Sequence, residues 1–468
     1  MVSDPAVRAR GIGKNTFVTM QTSETRSRER SGIARVGDTA SRARRPFVFG
    51  ALLTFSALYY YRPEDFIPGL NYIPMAKVAA ILGVLALIIG MTGTGKVKVP
   101  AGITFLWLLL FQMTICIPFA KWPRGAFNVV FENFSKAVVI AMLISMAVNK
   151  LGELRKLLWI QVSAVGLVTF FSIALSHHDR VGRLSGIQKS ILENPNELAL
   201  NIAINFPLVV AFILHARGFK KALWVLALAF MSVGIVLTYS RSGLLAFLIS
   251  VIVSVWEYGI KGKRRSVVAV AGVLLFVGLG VALSSAHYRA RVESIVLGNI
   301  EGSDDKGSIE ARKSLLKKSI VVALEHPLFG VGPGCFGLVD QGWIVAHNTY
   351  TELAAEAGIL ALVLFLMAIG AAFKNIRQVR KSQQYREDPE FKLFTQALWA
   401  GIVAYLVGAC FGSTEYGLYP YFMVAYSCAM VRIVGDPPSV QLDTDGKPHG
   451  LSQSDYSSHR KHQMVWSR

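Results

Sequence analysis

Residues 222–256 read ALWVLALAFMSVGIVLTYSRSGLLAFLISVIVSVW. As one helix these 35 residues would measure about 52 Å, against a hydrocarbon core about 30 Å thick. Arg241 would then lie deep in lipid, at a cost of roughly 2.5–3.5 kcal/mol on insertion scales. Breaking the run at Tyr239-Ser240-Arg241-Ser242-Gly243 removes both problems. The stretch therefore predicts two membrane spans joined by a tight outer turn.

Comparable apolar blocks lie on both sides, near 47–61, 73–91, 101–120, 128–148, 157–176, 198–214, 267–284, 349–373, 395–411 and 418–434. None shows the period-two alternation of a barrel strand, and backbone in lipid must pair its own amides, so helices are expected. The fold class predicted is all-α: a polytopic membrane protein of about 12 transmembrane helices, with a large extracytoplasmic loop between helices 9 and 10. With 53% hydrophobic and 17% charged residues, an ordinary soluble enzyme is excluded. Residues 1–46 read as a basic disordered cytoplasmic tail, 47–434 as the transmembrane domain with 285–348 as its large periplasmic loop, and 435–468 as a polar cytoplasmic tail. The first apolar run has an overlong basic leader, no small-residue cleavage site, and an interfacial anchor at Tyr59-Tyr60-Tyr61-Arg62. It is expected to be a retained helix rather than a signal peptide.

The net charge of +20 sits in the leader and in loops, without the aromatic interleaving of nucleic-acid binders. Nucleic acid is not an expected partner; membrane lipid is. With the N-terminus inside, the cytoplasmic loops hold 18 cations and the short outer loops 7, the bias of the positive-inside rule. A multi-pass inner-membrane protein with both termini cytoplasmic follows. The four cysteines have no metal-ligand spacing, and no metal or cofactor is expected.

Three polar features then reach the outer face. One is the loop with Gly182-Arg183 followed by Asn194-Pro195-Asn196; another is the turn Ser240-Arg241-Ser242-Gly243. The third is His347-Asn348-Thr349-Tyr350, leading to Glu352, Glu356 and Gly358, with His326-Pro327-Leu328-Phe329-Gly330-Val331-Gly332-Pro333-Gly334 upstream. On these residues the chain resembles the bacterial O-antigen ligase and O-antigen polymerase superfamily of integral-membrane glycosyltransferases. The ligase pattern often has Gly, Thr or Tyr three residues after the position of Gly358, where this chain has Ala361.

The resemblance implies a metal-independent, inverting transfer of a polyprenyl-diphosphate-linked glycan to a lipid or glycan acceptor on the periplasmic face. In the ligase version that acceptor is the lipid A-core of lipopolysaccharide. In sister versions it is another repeat unit, as in a polymerase, or a protein hydroxyl. His347, Arg241 and Arg183 are the catalytic candidates. An arginine fork suits a diphosphate leaving group, and an imidazole suits a proton taken near neutral pH. Arg312, Asn194, Asn196, Asn348, Tyr350 and Glu356 are the substrate-binding candidates.

Each has a plainer reading. Arg241 would be a snorkelling anchor, His347 a helix cap, Arg183 a solvated loop cation, and Arg312 part of a basic helix face with Lys313, Lys317 and Lys318. Glu197, Asn201 and Asn205, spaced by four, either line a cavity or bind helices together. The rivals from other classes are a polysaccharide flippase and a non-catalytic assembly partner. A flippase predicts inverted repeats and charged groups at mid-bilayer. Neither is evident.

Overall fold

The computed structural model describes residues 48–61, 99–179, 182–186, 194–265, 304–339 and 345–435, with isolated positions between 78 and 85 and at 267 and 272. The expected tails and the apolar runs 73–91 and 267–284 lie wholly or largely outside the described residues. Helices α1 (Val48–Tyr61), α2 (Ala101–Cys116), α3 (Pro123–Ala147), α4 (Leu151–Ala174), α5 (Pro195–His215), α6 (Gly218–Leu237) and α7 (Arg241–Ile260) come first. They are followed by α8 (Asp304–Glu325), α9 (Thr349–Ala357), α10 (Ile359–Val379), α11 (Pro389–Ala409) and α12 (Tyr419–Gly435). There is no strand among the described residues, only an isolated bridge between His178 and Leu184. Eight of these helices are long and apolar enough to cross a membrane: α2 with its 3-10 extension, α3, α4, α5, α6, α7, α10 and α11. The chain is a multi-pass membrane protein.

The break inside 222–256 falls where expected, α6 ending at Leu237 and α7 starting at Arg241. Ser240 makes the stop and the start: its hydroxyl caps α7 by accepting from the Gly243 amide at 3.1 Å, satisfying one orphan donor of the first turn.

The span expected over 349–373 is two helices, not one. Gly358 interrupts it with φ +86°, because the His326–Gly334 segment docks at the junction: the Ile359 amide donates to the Pro327 carbonyl at 2.8 Å. A Cβ on Gly358 would sit 2.3 Å from the Leu328 carbonyl oxygen. Gln112 of α2 completes the junction, its amide nitrogen donating to Leu328 O at 2.8 Å and Ala357 O at 3.1 Å. Carbonyls freed by the break are thus paired, as low-dielectric surroundings require.

α5 is the most enclosed candidate span, packed by α7 and α11. Small residues allow the approach near its N-terminal end, where a Cβ on Gly243 would meet Ala199 and one on Gly408 would meet Leu200, each at 2.2 Å. Polar groups bind the interior together. Gln161 of α4 donates to Asn205 Oδ1 at 2.9 Å and accepts from the hydroxyls of Tyr60 and Tyr426, each at 3.0 Å. Asn205 therefore joins helices. Interhelical bonds of this kind contribute roughly 0.6–2 kcal/mol each. At the far end of α7, buried Glu257 pairs with Lys261 at 3.1 Å and Arg380 at 3.2 Å.

Candidate active site

Three helices begin at one place. α5 starts at Asn194, whose side chain accepts from the Asn196 amide at 2.9 Å. α7 starts behind Ser240. α9 starts behind Asn348, whose Oδ1 accepts from the amides of Tyr350 and Thr351, each at 3.1 Å. A cavity of ≈ 220 Å³ lies among these starts, lined by Asn194, Asn196, Ser242, Gly243 and His347, and by Gly412, Ser413 and Thr414 of the α11–α12 connection. Each helix N-terminus carries about half a positive charge, so the cavity favours an anion before any side chain is counted.

The arginines add to that field. Burial, and then the positive charges of Arg241 and Arg183, pull the Arg312 guanidinium below its ordinary range. Arg312 in turn acts on His347: burial first, and the Arg312 charge second, lower the imidazole pKa from its usual value. Side chains from the 177–186 loop, the α6–α7 turn, α8 and the entry to α9 are thereby brought together. Positive charge at the first position of α7 works against that helix's own dipole.

Arg183 is held from below. Its Nε donates to Asp179 Oδ2 at 2.8 Å and its amide to Asp179 Oδ1 at 2.9 Å. The loop is docked on α6 by the Leu184 amide, which donates to the Leu237 carbonyl at 2.9 Å. Two turns carry backbone strain, since Tyr239 has φ +48° and His347 φ +55°. Such values are uncommon outside glycine, and bulky side chains adopt them only when the surroundings impose them.

Of the nine candidates, His347, Asn194 and Asn196 line the cavity, and Arg312 lies close enough to Arg241, Arg183 and His347 to feel their charge. The other three are engaged elsewhere. The Asn348 side-chain oxygen is used in capping α9, and its Nδ2 donates to Cys410 O at 3.0 Å. The Tyr350 hydroxyl donates to the Leu406 carbonyl at 2.9 Å, tying α9 to α11. Glu356 is buried, accepting from the amides of Gly334 and Phe336, both at 2.8 Å, and from the Tyr416 hydroxyl. It organises the glycine-rich segment instead of facing the cavity.

Glu415, Ser413 and Tyr416 were not among the candidates, because the short 410–418 connection reads simply as a link between two apolar runs. Yet Glu352, Glu356 and Glu415 offer oxygens all within 4.8 Å of one another, the geometry of a cation site. The same closeness accommodates shared protons. Burial and the neighbouring Glu356 charge raise the Glu352 pKa to about 8. Burial raises Glu356, while burial with the Glu352 and Glu356 charges raises Glu415. Three ionised carboxylates in such a space would repel strongly, so protonation is favoured unless a cation is present.

Residues 226–366 match the family model described as O-antigen ligase. That span runs from within α6 to within α10 and carries Arg241, Arg312 and His347; Arg183 lies before it. No curated protein gives a match. The match over this stretch supports the O-antigen ligase superfamily.

Proposed function

We propose that this protein transfers a glycan from a polyprenyl diphosphate to an acceptor on the periplasmic face of the inner membrane, with the lipid A-core as acceptor. The observation that supports the proposal is the closeness of Arg312 to Arg241, Arg183 and His347, beside a cavity that His347 lines among three helix N-termini. Arg183, Arg241 and Arg312 would hold the diphosphate, with the helix starts at Asn194 and Ser240 adding their amide dipoles.

In the reaction the acceptor hydroxyl oxygen bonds to the anomeric carbon as the bond from that carbon to the diphosphate oxygen breaks. The electron pair leaves on the diphosphate and the hydroxyl proton passes to His347. Attack opposite the leaving group inverts the anomeric centre. The fixed positive field offsets charge as it builds on the leaving oxygen, which is where electrostatic preorganisation acts. Burial and Arg312 keep the imidazole neutral and able to accept a proton. No metal is assigned a part in this reaction.

Purified protein incubated with an undecaprenyl-diphosphate glycan and a panel of acceptors tests this reading. The expected result is undecaprenyl diphosphate released together with glycosylated lipid A-core. Transfer only to a second lipid-linked repeat would make the protein a polymerase, and no release with any acceptor would overturn the reading.

A further inference from the structure

We propose that Ser413 and Glu352 are positioning residues that set the orientation of His347, extending the catalytic apparatus into the α11–α12 connection, outside the stretch that matches the family model. The proposal rests on the reading of His347 as the base.

A catalytic histidine is usually oriented through its second ring nitrogen by a carboxylate or carbonyl. Here no hydrogen bond reaches the His347 ring among the described residues. Its direction must come from its backbone, which stands at φ +55°. That conformation has to be imposed.

The imposing contacts form a seam. The His347 amide donates to Ser413 Oγ at 3.1 Å. The Ser413 hydroxyl donates onward to Glu352 Oε2. The same Glu352 oxygen accepts from the Ala346 amide at 3.0 Å. One carboxyl oxygen thus controls two successive peptides, one directly and one through the serine. The seam continues with Asn348 Nδ2 on Cys410 O at 3.0 Å, Thr349 Oγ1 on Gly412 O at 2.7 Å, and the Thr414 amide on Thr349 Oγ1 at 3.0 Å. Residues 346–349 are each fixed against Glu352 or the 410–414 strip, and Ser413 and His347 line the cavity side by side.

The chemistry required at each position is specific. Residue 413 must accept and donate at once, which threonine can do and alanine cannot. Residue 352 must supply an oxygen that accepts twice, which glutamine retains and methionine lacks. A misaimed base loses rate while donor binding, set by the arginines, is preserved.

The test measures steady-state transfer by purified full-length variants in lipid nanodiscs. Ser413→Ala should lower kcat about tenfold or more with donor KM changed less than about twofold. Ser413→Thr should restore most of the loss. Glu352→Met should behave as Ser413→Ala, and Glu352→Gln should retain more activity than Glu352→Met. The deciding comparison is Ser413→Ala on a His347→Ala background, where a residue acting only through His347 has nothing left to lose. Unchanged residual turnover in that double variant supports the proposal; a further full-sized loss, or a wild-type kcat for Ser413→Ala alone, overturns it. His347→Ala read in the same assay separates the two levels. If it keeps full turnover, the base assignment falls and this proposal falls with it.

Discussion

The hydroxyl of Ser240 donates to Asn196 Oδ1 at 2.8 Å, joining the α6–α7 turn to the start of α5. The same hydroxyl accepts from the Gly243 amide, so one serine both starts α7 and fixes Arg241 relative to the Asn-Pro-Asn segment. Asn196→Ala leaves that hydroxyl only the longer contact to Ser242 Oγ at 3.2 Å, at a cost of about 1 kcal/mol. We expect a thermal transition a few degrees lower and reduced kcat/KM for the donor. Unchanged donor kinetics would show that the link is not needed to place Arg241.

Arg241 supplies a fork as well as a charge. Arg241→Ala should impair donor use more than Arg241→Lys, because lysine keeps the positive charge but loses bidentate geometry. Initial rates over a range of donor concentrations decide the point. Equal loss from both substitutions would argue against a role for charge alone.

Burial, and Arg312 after it, hold the His347 imidazole below its usual pKa. The base works when neutral, so the acid limb of kcat/KM should lie below the ordinary histidine value of about 6.5. Removing the neighbouring positive charge with Arg312→Gln relieves the repulsion that disfavours imidazolium. The limb should then move to higher pH, as a pH–rate profile would show. A limb that stays in place would separate Arg312 from His347.

Glu352 carries a pKa raised from 4.5 to about 8. Between those values the folded protein binds more protons than the unfolded chain, so stability is highest at the acid end and falls as pH rises. Tm measured in detergent should therefore decline between about pH 5 and pH 8. Glu352→Gln, which cannot ionise, should flatten that slope.

Gly330 has φ +64°, and a Cβ there would sit 2.3 Å from the Glu356 carbonyl group. The contact is backbone on backbone, so a side chain cannot swing aside. Gly330→Ala should destabilise by more than the roughly 1–3 kcal/mol of backbone strain alone, seen as loss of monodisperse protein on size exclusion. Gly370→Ala, with nothing near its Cβ, is the matched control.

Legibility in the sequence followed the reach of each physical signal. Apolar blocks announce spans, and the charge at Arg241 announced the turn, because burying a guanidinium in lipid is costly whatever the surroundings. Gly358 gave no such warning. Glycine is common inside membrane helices, and what breaks the helix is the Pro327 and Leu328 backbone arriving from a distant segment. The arginines and His347 were readable as polar groups at span ends. Their gathering depends on α8 and on the docking of the 177–186 loop, which no local pattern encodes. The tertiary partners of Asn348, Tyr350 and Glu356, namely Cys410, Leu406 and Phe336, are invisible in one dimension. Ser413 was missed for the same reason.

Gln161 receives Tyr60 from the earliest described helix and Tyr426 from the latest on a single oxygen. Translation delivers Tyr60 long before Tyr426, so the wall they form cannot shut until α12 has been made. A nascent chain arrested before Tyr419 should leave α1 open to protease, and the released, finished protein should protect it.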